Sequence, residues 1–184
     1  AALLAIFGHF AANPAGRTLR FLWCGSEELG LLGSKAYVEQ QKELLDEIGF
    51  CFNFDMCGTA LGANRIIVTG EKELQTFAEQ YCRLTGYSAE IKTQVHSSDS
   101  APFCDNDIPA LGLSRGTATA EIHTVHDLLP TLSEKQMRKN VEFAVRIIRD
   151  VANAAVLPVK KGMSEECRKE LDKYFHREKE KETK

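Results

Sequence analysis

Short apolar runs alternate along this chain with stretches of helical spacing, and no other feature narrows its possible folds so far. Thr18–Cys24 (TLRFLWC), Phe50–Phe54, Arg65–Thr69 and Ala110–Leu113 read as buried strands, and Ala89–Thr93 is a further candidate. Between them, Gly25-Ser26 opens a helix that runs toward Gln41, with Ser26 as its N-cap. Glu71–Leu84 places Leu74, Phe77, Ala78, Tyr81 and Cys82 on one helical stripe. Ser133 caps a long helix through Asn153, with Met137, Val141, Ala144, Val145 and Ile148 as its apolar side. Ala1–Ala12 also has helical spacing; it starts without a Ser, Thr, Asp or Asn cap and stops at the Asn13-Pro14-Ala15-Gly16 breaker. His96–Asp107 reads as a polar loop around Pro102. The alternation predicts an α/β domain with a doubly wound, mostly parallel sheet flanked by helices. In such sheets ligands bind beyond the carboxyl ends of the strands, which is where chemistry is to be sought.

Charge and length exclude several classes of function. Lys and Arg number 23 against 26 Asp and Glu, a balance unlike the basic excess of a dedicated nucleic-acid binder. The longest uninterrupted apolar run, Ala1–Phe7, is far below the ~20 residues of a membrane span. No Lys or Arg stands ahead of it, the first being Arg17, so it reads as a helix and not as a signal peptide. The expectation is no nucleic-acid partner and no membrane. The six cysteines are dispersed and form no CxxC pair, and several sit inside apolar runs. They are expected to be reduced thiols of a cytoplasmic protein, with Cys51 and Cys57 the pair that a strand-to-turn geometry brings closest.

Four acidic or imidazole groups stand where strands finish. Glu27 and Glu28 follow TLRFLWC, Asp55 closes the Phe50–Phe54 strand, and His123 follows a short Ala-Glu-Ile segment. Adjacent carboxylates point in different directions, so one can hold a metal while its neighbour stays free to move protons. Taken one by one, each has an ordinary explanation: acidic residues favour a first helical turn, and Asp is a common turn former. No HExxH or similar local spacing is present.

The surrounding strings decide the matter. CGSEELGLLGSKAYV, NFDMCG, SSDSAPF and IHTVHD follow one another in that order. Together they resemble the co-catalytic di-zinc aminopeptidase family, the clan of bacterial leucyl-type aminopeptidases, glutamate carboxypeptidase and glutaminyl cyclase relatives. The resemblance covers nearly all of Ala1–Asn153. It implies a zinc-exopeptidase-like fold, two zinc ions (with cobalt or manganese as substitutes) and a peptide substrate. It also implies roles: Glu27 as general acid/base, Glu28 and His123 as ligands of one zinc, and Asp55 as a ligand of the second. In the family a water between the metals attacks the scissile carbonyl with help from the Glu27 position, which then protonates the leaving amine. Ser98, Asp99 and Phe103 match a substrate-side loop that often reads Ser-Asp-His-x-Pro-Phe, with Ser100 standing where His is frequent. Thr124 and Asp127 fit a His-Thr-x-x-Asp string and are expected to orient His123. His96 and His126 read as surface residues.

The resemblance also exposes a gap. The family takes two further ligands from upstream, a His in a His-x-Asp string and an Asp that bridges both metals. Here His9 is the only His ahead of Glu27, and no Asp precedes Asp46. Residues 1–157 are therefore expected to be the C-terminal portion of a zinc peptidase domain with its leading strands missing, and 158–184 a charged helical or frayed tail. Such a piece is expected to be an inactive, weakly zinc-binding protein whose bare sheet edge favours homo-oligomers. The contrasting reading is a catalytically silent binding module, and within the enzymes a carboxypeptidase or a glutaminyl-cyclase-like activity.

Overall fold

Cys51 and Phe52 are neighbours in the chain and belong to different cores. Side chains alternate across a strand, and here that alternation separates two layers of helices. The structure, a computed structural model, describes residues 1–116 and 122–177. Its order is α1 (Ala2–Ala12), α2 (Leu32–Gln40), β1 (Cys51–Phe54), β2 (Asn64–Thr69), α3 (Lys72–Thr85), β3 (Glu90–Thr93), α4 (Ala101–Asp105), β4 (Ala110–Arg115), α5 (Glu134–Asn153) and α6 (Glu165–Tyr174). Short 3₁₀ turns at Lys42–Glu47 and Leu129–Thr131 complete it.

Among the described residues the strands form one sheet in the order β1-β4-β2-β3. β1 runs parallel to β4 and β2 parallel to β3, while β2 and β4 are antiparallel, with Ile66 opposite Leu113. One face carries Ile66, Val68, Leu111 and Leu113 against Leu74 and Ala78 of α3 and Phe143, Ile147 and Val151 of α5. α1 lies outside that layer, its Ile6 and Phe10 packed on Ala144. The other face buries Val38, Leu45, Phe103 and Ile108 with Cys51, and Cys104, Ala110 and Leu171 beside them. Helices thus cover both faces of a mostly parallel sheet, as the alternation predicts. No described helix is long and apolar enough to cross a membrane.

Several local expectations need correction. Thr18–Cys24 is extended but joins no ladder among the described residues. Leu19 and Phe21 pack with Phe52 and Phe54 while Leu22 packs beside Cys51. Its alternation therefore reports which side chains are buried, and burial alone does not bring its backbone into register with β1. The helix expected from Ser26 begins six residues later, at Leu32. Ser26 (φ 56°) and Leu31 (φ 62°) both adopt left-handed backbone, which interrupts a right-handed helix. Glu27–Gly30 is consequently a turn. Gly33 lets α2 cross this region closely: a Cβ there would sit 2.7 Å from Gly25 O.

The loop expected at His96–Asp107 contains α4, whose Pro102 occupies the first turn, where a missing N–H costs nothing. Of the stripe assigned to α5, Val141, Ala144, Val145 and Ile148 pack with α1 and with Phe52 and Phe54 of β1, and Phe143, Ile147 and Val151 add a second buried side against the rest of the sheet. Of the charge run Arg177–Lys184, residues 178–184 lie outside the described residues, as do Ala120 and Glu121 of the segment before His123. Arg177 is anchored, pairing with Asp105 and Asp172. All six cysteines are free thiols, Cys51 and Cys57 included. The Cys57 thiol donates instead to Leu113 O at 3.0 Å.

Candidate metal centre

Turns that follow extended segments carry the candidate residues. Gly30 N and Leu31 N donate to Glu27 O at 3.0 and 2.8 Å, closing the turn that presents Glu27 and Glu28. Asp55 leaves β1 with its N–H bonded to Leu113 O at 3.2 Å, and Met56 O accepts from Arg115 N at 3.3 Å, so the end of β1 is tied to β4. Backbone strain accumulates here. Ser26 precedes Glu27, Met56 (φ 50°) follows Asp55, and His123 itself has φ 62°. Left-handed backbone at a non-glycine residue costs of order 1–3 kcal/mol and persists where the surroundings demand it.

His123 and Glu28 meet although 95 residues separate them in the chain: Nε2 lies 2.7 Å from Oε1. Both side chains are about two-thirds exposed, so the pair adds little stability. Partial burial raises the pKa of Glu27, helped by the negative charges of Glu28, Asp55 and Asp99 and opposed by His123. Burial likewise raises Asp55, with His96 opposing it and Asp99 and Glu28 adding to it. Glu27, Glu28, Asp55, Asp99 and His123 therefore share one electrostatic neighbourhood.

The other expected residues divide. Asp99 lies against the Cys24 thiol, which burial and that carboxylate push up to about 11. Its Oδ1 is buried with no hydrogen-bond partner. Ser98 and Ser100 are buried and bonded to each other, Oγ to Oγ at 2.8 Å. Phe103 is buried among Val38, Leu45 and Ile108 and packs the core, not the cleft. Thr124 Oγ1 accepts from His126 N at 3.1 Å and Asp127 N donates to Thr124 O at 3.2 Å, so both shape the turn after His123. His126 is exposed. His96 is exposed too, yet it lines a cleft of about 230 Å³ together with Asp55, Ser98, Ser100 and Arg65. Sequence reasoning left His96 aside; its place three residues before Asp99, in the same loop, was the available signal.

Carboxylate oxygens and an imidazole nitrogen are donors that zinc accepts. The Asp99 oxygen, buried without a hydrogen-bond partner, leaves an unmet polar demand in the same electrostatic neighbourhood. Among the described residues, no three His, Cys, Asp or Glu side chains stand close enough to hold one ion. Glu28 and His123 touch directly, whereas a tetrahedral ion at ~2.0–2.1 Å from each would hold them about 3.3 Å apart. The donors fit zinc in kind, and the described residues do not by themselves complete a site.

Comparison with known proteins bears on the family and the fold. Residues 1–148 match the pattern of peptidase family M28. Leupeptin-inactivating enzyme 1 of Streptomyces exfoliatus is 40% identical over 100 residues, which cover 53% of this chain and 23% of that protein. Aminopeptidase YwaD of Bacillus subtilis is 28% identical over 165 residues, covering 82% and 36%. The solved structure of BSAP, a zinc aminopeptidase from Bacillus subtilis, superposes with a TM-score of 0.74 at 22% identity over 88% of this chain and 43% of that one. That likeness establishes the fold. The chain spans 23% and 36% of the length of these two relatives.

Proposed function

The chain belongs to peptidase family M28, and from that premise we propose that it is the part of a metal-dependent aminopeptidase that carries the proton shuttle and three metal ligands. The observation that carries the reading is the Glu28–His123 pair, brought together across 95 residues beside an acid with a raised pKa. Glu28 and His123 would hold one zinc ion and Asp55 a second. When bound, the zinc pair supplies Lewis-acid chemistry: it polarises the scissile carbonyl and makes water easier to deprotonate.

The remaining work falls to side chains of this chain. Glu27 takes the proton of the attacking water and returns it to the departing amine. A carboxylate next to a metal ligand and itself uncoordinated suits both halves of that task, because it can accept a proton and deliver it. Left-handed backbone at Ser26, Met56 and His123 flanks or carries the acid and the proposed ligands, the kind of strain that functional sites retain. A silent binding module has no use for that strain.

Residues 1–184 offer two ligands for one ion and one for the other, so by themselves they hold zinc weakly and turn over slowly. The activity belongs to a protein that also supplies a His and a bridging Asp. The test is hydrolysis of leucine p-nitroanilide by the full-length protein with zinc. Turnover should vanish with a chelator, and Glu27→Gln should lower kcat by roughly 10²- to 10⁴-fold at unchanged zinc content. A Glu27→Gln protein with wild-type kcat removes Glu27 from the chemistry, and absence of any exopeptidase turnover removes the reading altogether.

A further inference from the structure

The family match ends at residue 148, yet the helix beyond it holds the loop that lines the cleft. Glu170 Oε2 of α6 accepts a hydrogen bond from Val95 N at 2.6 Å. One turn further on, Tyr174 OH lies 2.9 Å from Ser97 Oγ. Positions four apart share a helical face, so a single face of α6 grips the residues on either side of His96. The grip is itself anchored. Cys167 and Leu171 are wholly buried, with Leu171 packed against Cys104 and Ala110. Arg168 pairs with Asp105 and Asp107, and Arg177 with Asp105 and Asp172.

His96 lines the cleft with Asp55. The two serines that follow in the loop, Ser98 and Ser100, are buried and occupied with each other. Ser100, at the position where the resembling string has His, is a buried hydroxyl engaged with Ser98. His96 is the imidazole that this loop does present to the cleft.

We propose that His96 contacts the peptide substrate as a hydrogen-bond donor to its backbone carbonyl, and that α6, through Glu170 and Tyr174, is the element that positions it. The proposal rests on the aminopeptidase reading for the substrate and on geometry alone for the positioning. Fixing Val95 and Ser97 removes the backbone freedom that would let the ring swing away, and a donor held in place loses less entropy on binding.

The test uses the full-length, zinc-loaded protein and a leucyl peptide substrate. His96→Ala should raise KM about tenfold, the loss of one hydrogen bond, with zinc content unchanged. The double substitution Glu170→Ala/Tyr174→Phe should raise KM similarly and add nothing further when His96 is already Ala. Glu170→Gln, which can still accept from Val95 N, should restore most of the loss. Independently of turnover, the His96 ring resonance should shift in Glu170→Ala/Tyr174→Phe while those of His9 and His126 stay in place. Additive effects in the cycle, or loss of zinc from His96→Ala, overturn the substrate contact. An unmoved His96 resonance overturns the positioning. A wild-type protein without turnover overturns the aminopeptidase reading instead, and leaves the resonance to decide what α6 does.

Discussion

Asn140 is wholly buried in α5, where an amide would be a liability without partners. Its Nδ2 donates to Cys57 O at 2.7 Å and its Oδ1 accepts from Tyr87 OH at 2.8 Å. The first bond fastens α5 to the turn two residues beyond Asp55. The second holds Tyr87 stacked on Phe143, their ring centroids 3.8 Å apart. Replacing the amide by a similar apolar volume, Asn140→Leu, strands a buried carbonyl and a half-buried hydroxyl at once. The expected cost is about 2–4 kcal/mol, read as a lower urea midpoint at unchanged slope. A change below about 0.5 kcal/mol would show that both groups find other partners. Nothing in the linear pattern singles out Asn140, because a polar residue inside an amphipathic helix is ordinarily on its wet side.

At the scale of elements, α5 is where local chemistry and final structure agree most closely. Ser133 accepts from Gln136 N at 3.3 Å, Glu134 stands in the first turn, and the helix runs to Asn153 as its spacing indicates. Ser133→Ala should cost about 1 kcal/mol and Ser133→Asp much less. In a domain of this size that is a fall of about 2–4 °C in Tm for the Ala variant. Equal midpoints for the two variants would mean the hydroxyl does not cap. α2 is the counter-example. Ser26 looks like a cap, and the chain instead makes the turn that presents Glu27 and Glu28, because Ser26, Gly30 and Leu31 are all held at positive φ. Neither Ser nor Leu favours that backbone, so no propensity announces it.

For the whole molecule, the decisive quantity is how tightly zinc is held. Stabilisation by a ligand follows its concentration relative to its Kd. With ligands for two incomplete halves, residues 1–184 should gain less than about 2 °C in Tm from 1 mM zinc. A protein that supplies the further His and the bridging Asp, with a micromolar Kd, should gain about 4 kcal/mol, or of order 10 °C. A large zinc-induced rise in the 184-residue chain would show that it completes a site from its own side chains.

The layering of helices on both faces of a mostly parallel sheet was legible in the chain, because burial on a strand or helix follows a fixed period and needs no knowledge of partners. The motifs that carry Glu27, Glu28, Asp55 and His123 also stand in a recognisable order in the chain. Tertiary structure alone decided that Thr18–Cys24 lies beside β1 without pairing, because a period reports which side is buried and not whether two backbones align. It alone brought His123 onto Glu28, His96 to the cleft of Asp55 and Asp99 against Cys24. It also turned the charged C-terminal segment into α6, an anchored helix that holds the 95–97 loop. Each of these is a meeting of residues far apart in sequence. Local preferences act over a few residues, whereas such meetings are set by the closing of the whole fold.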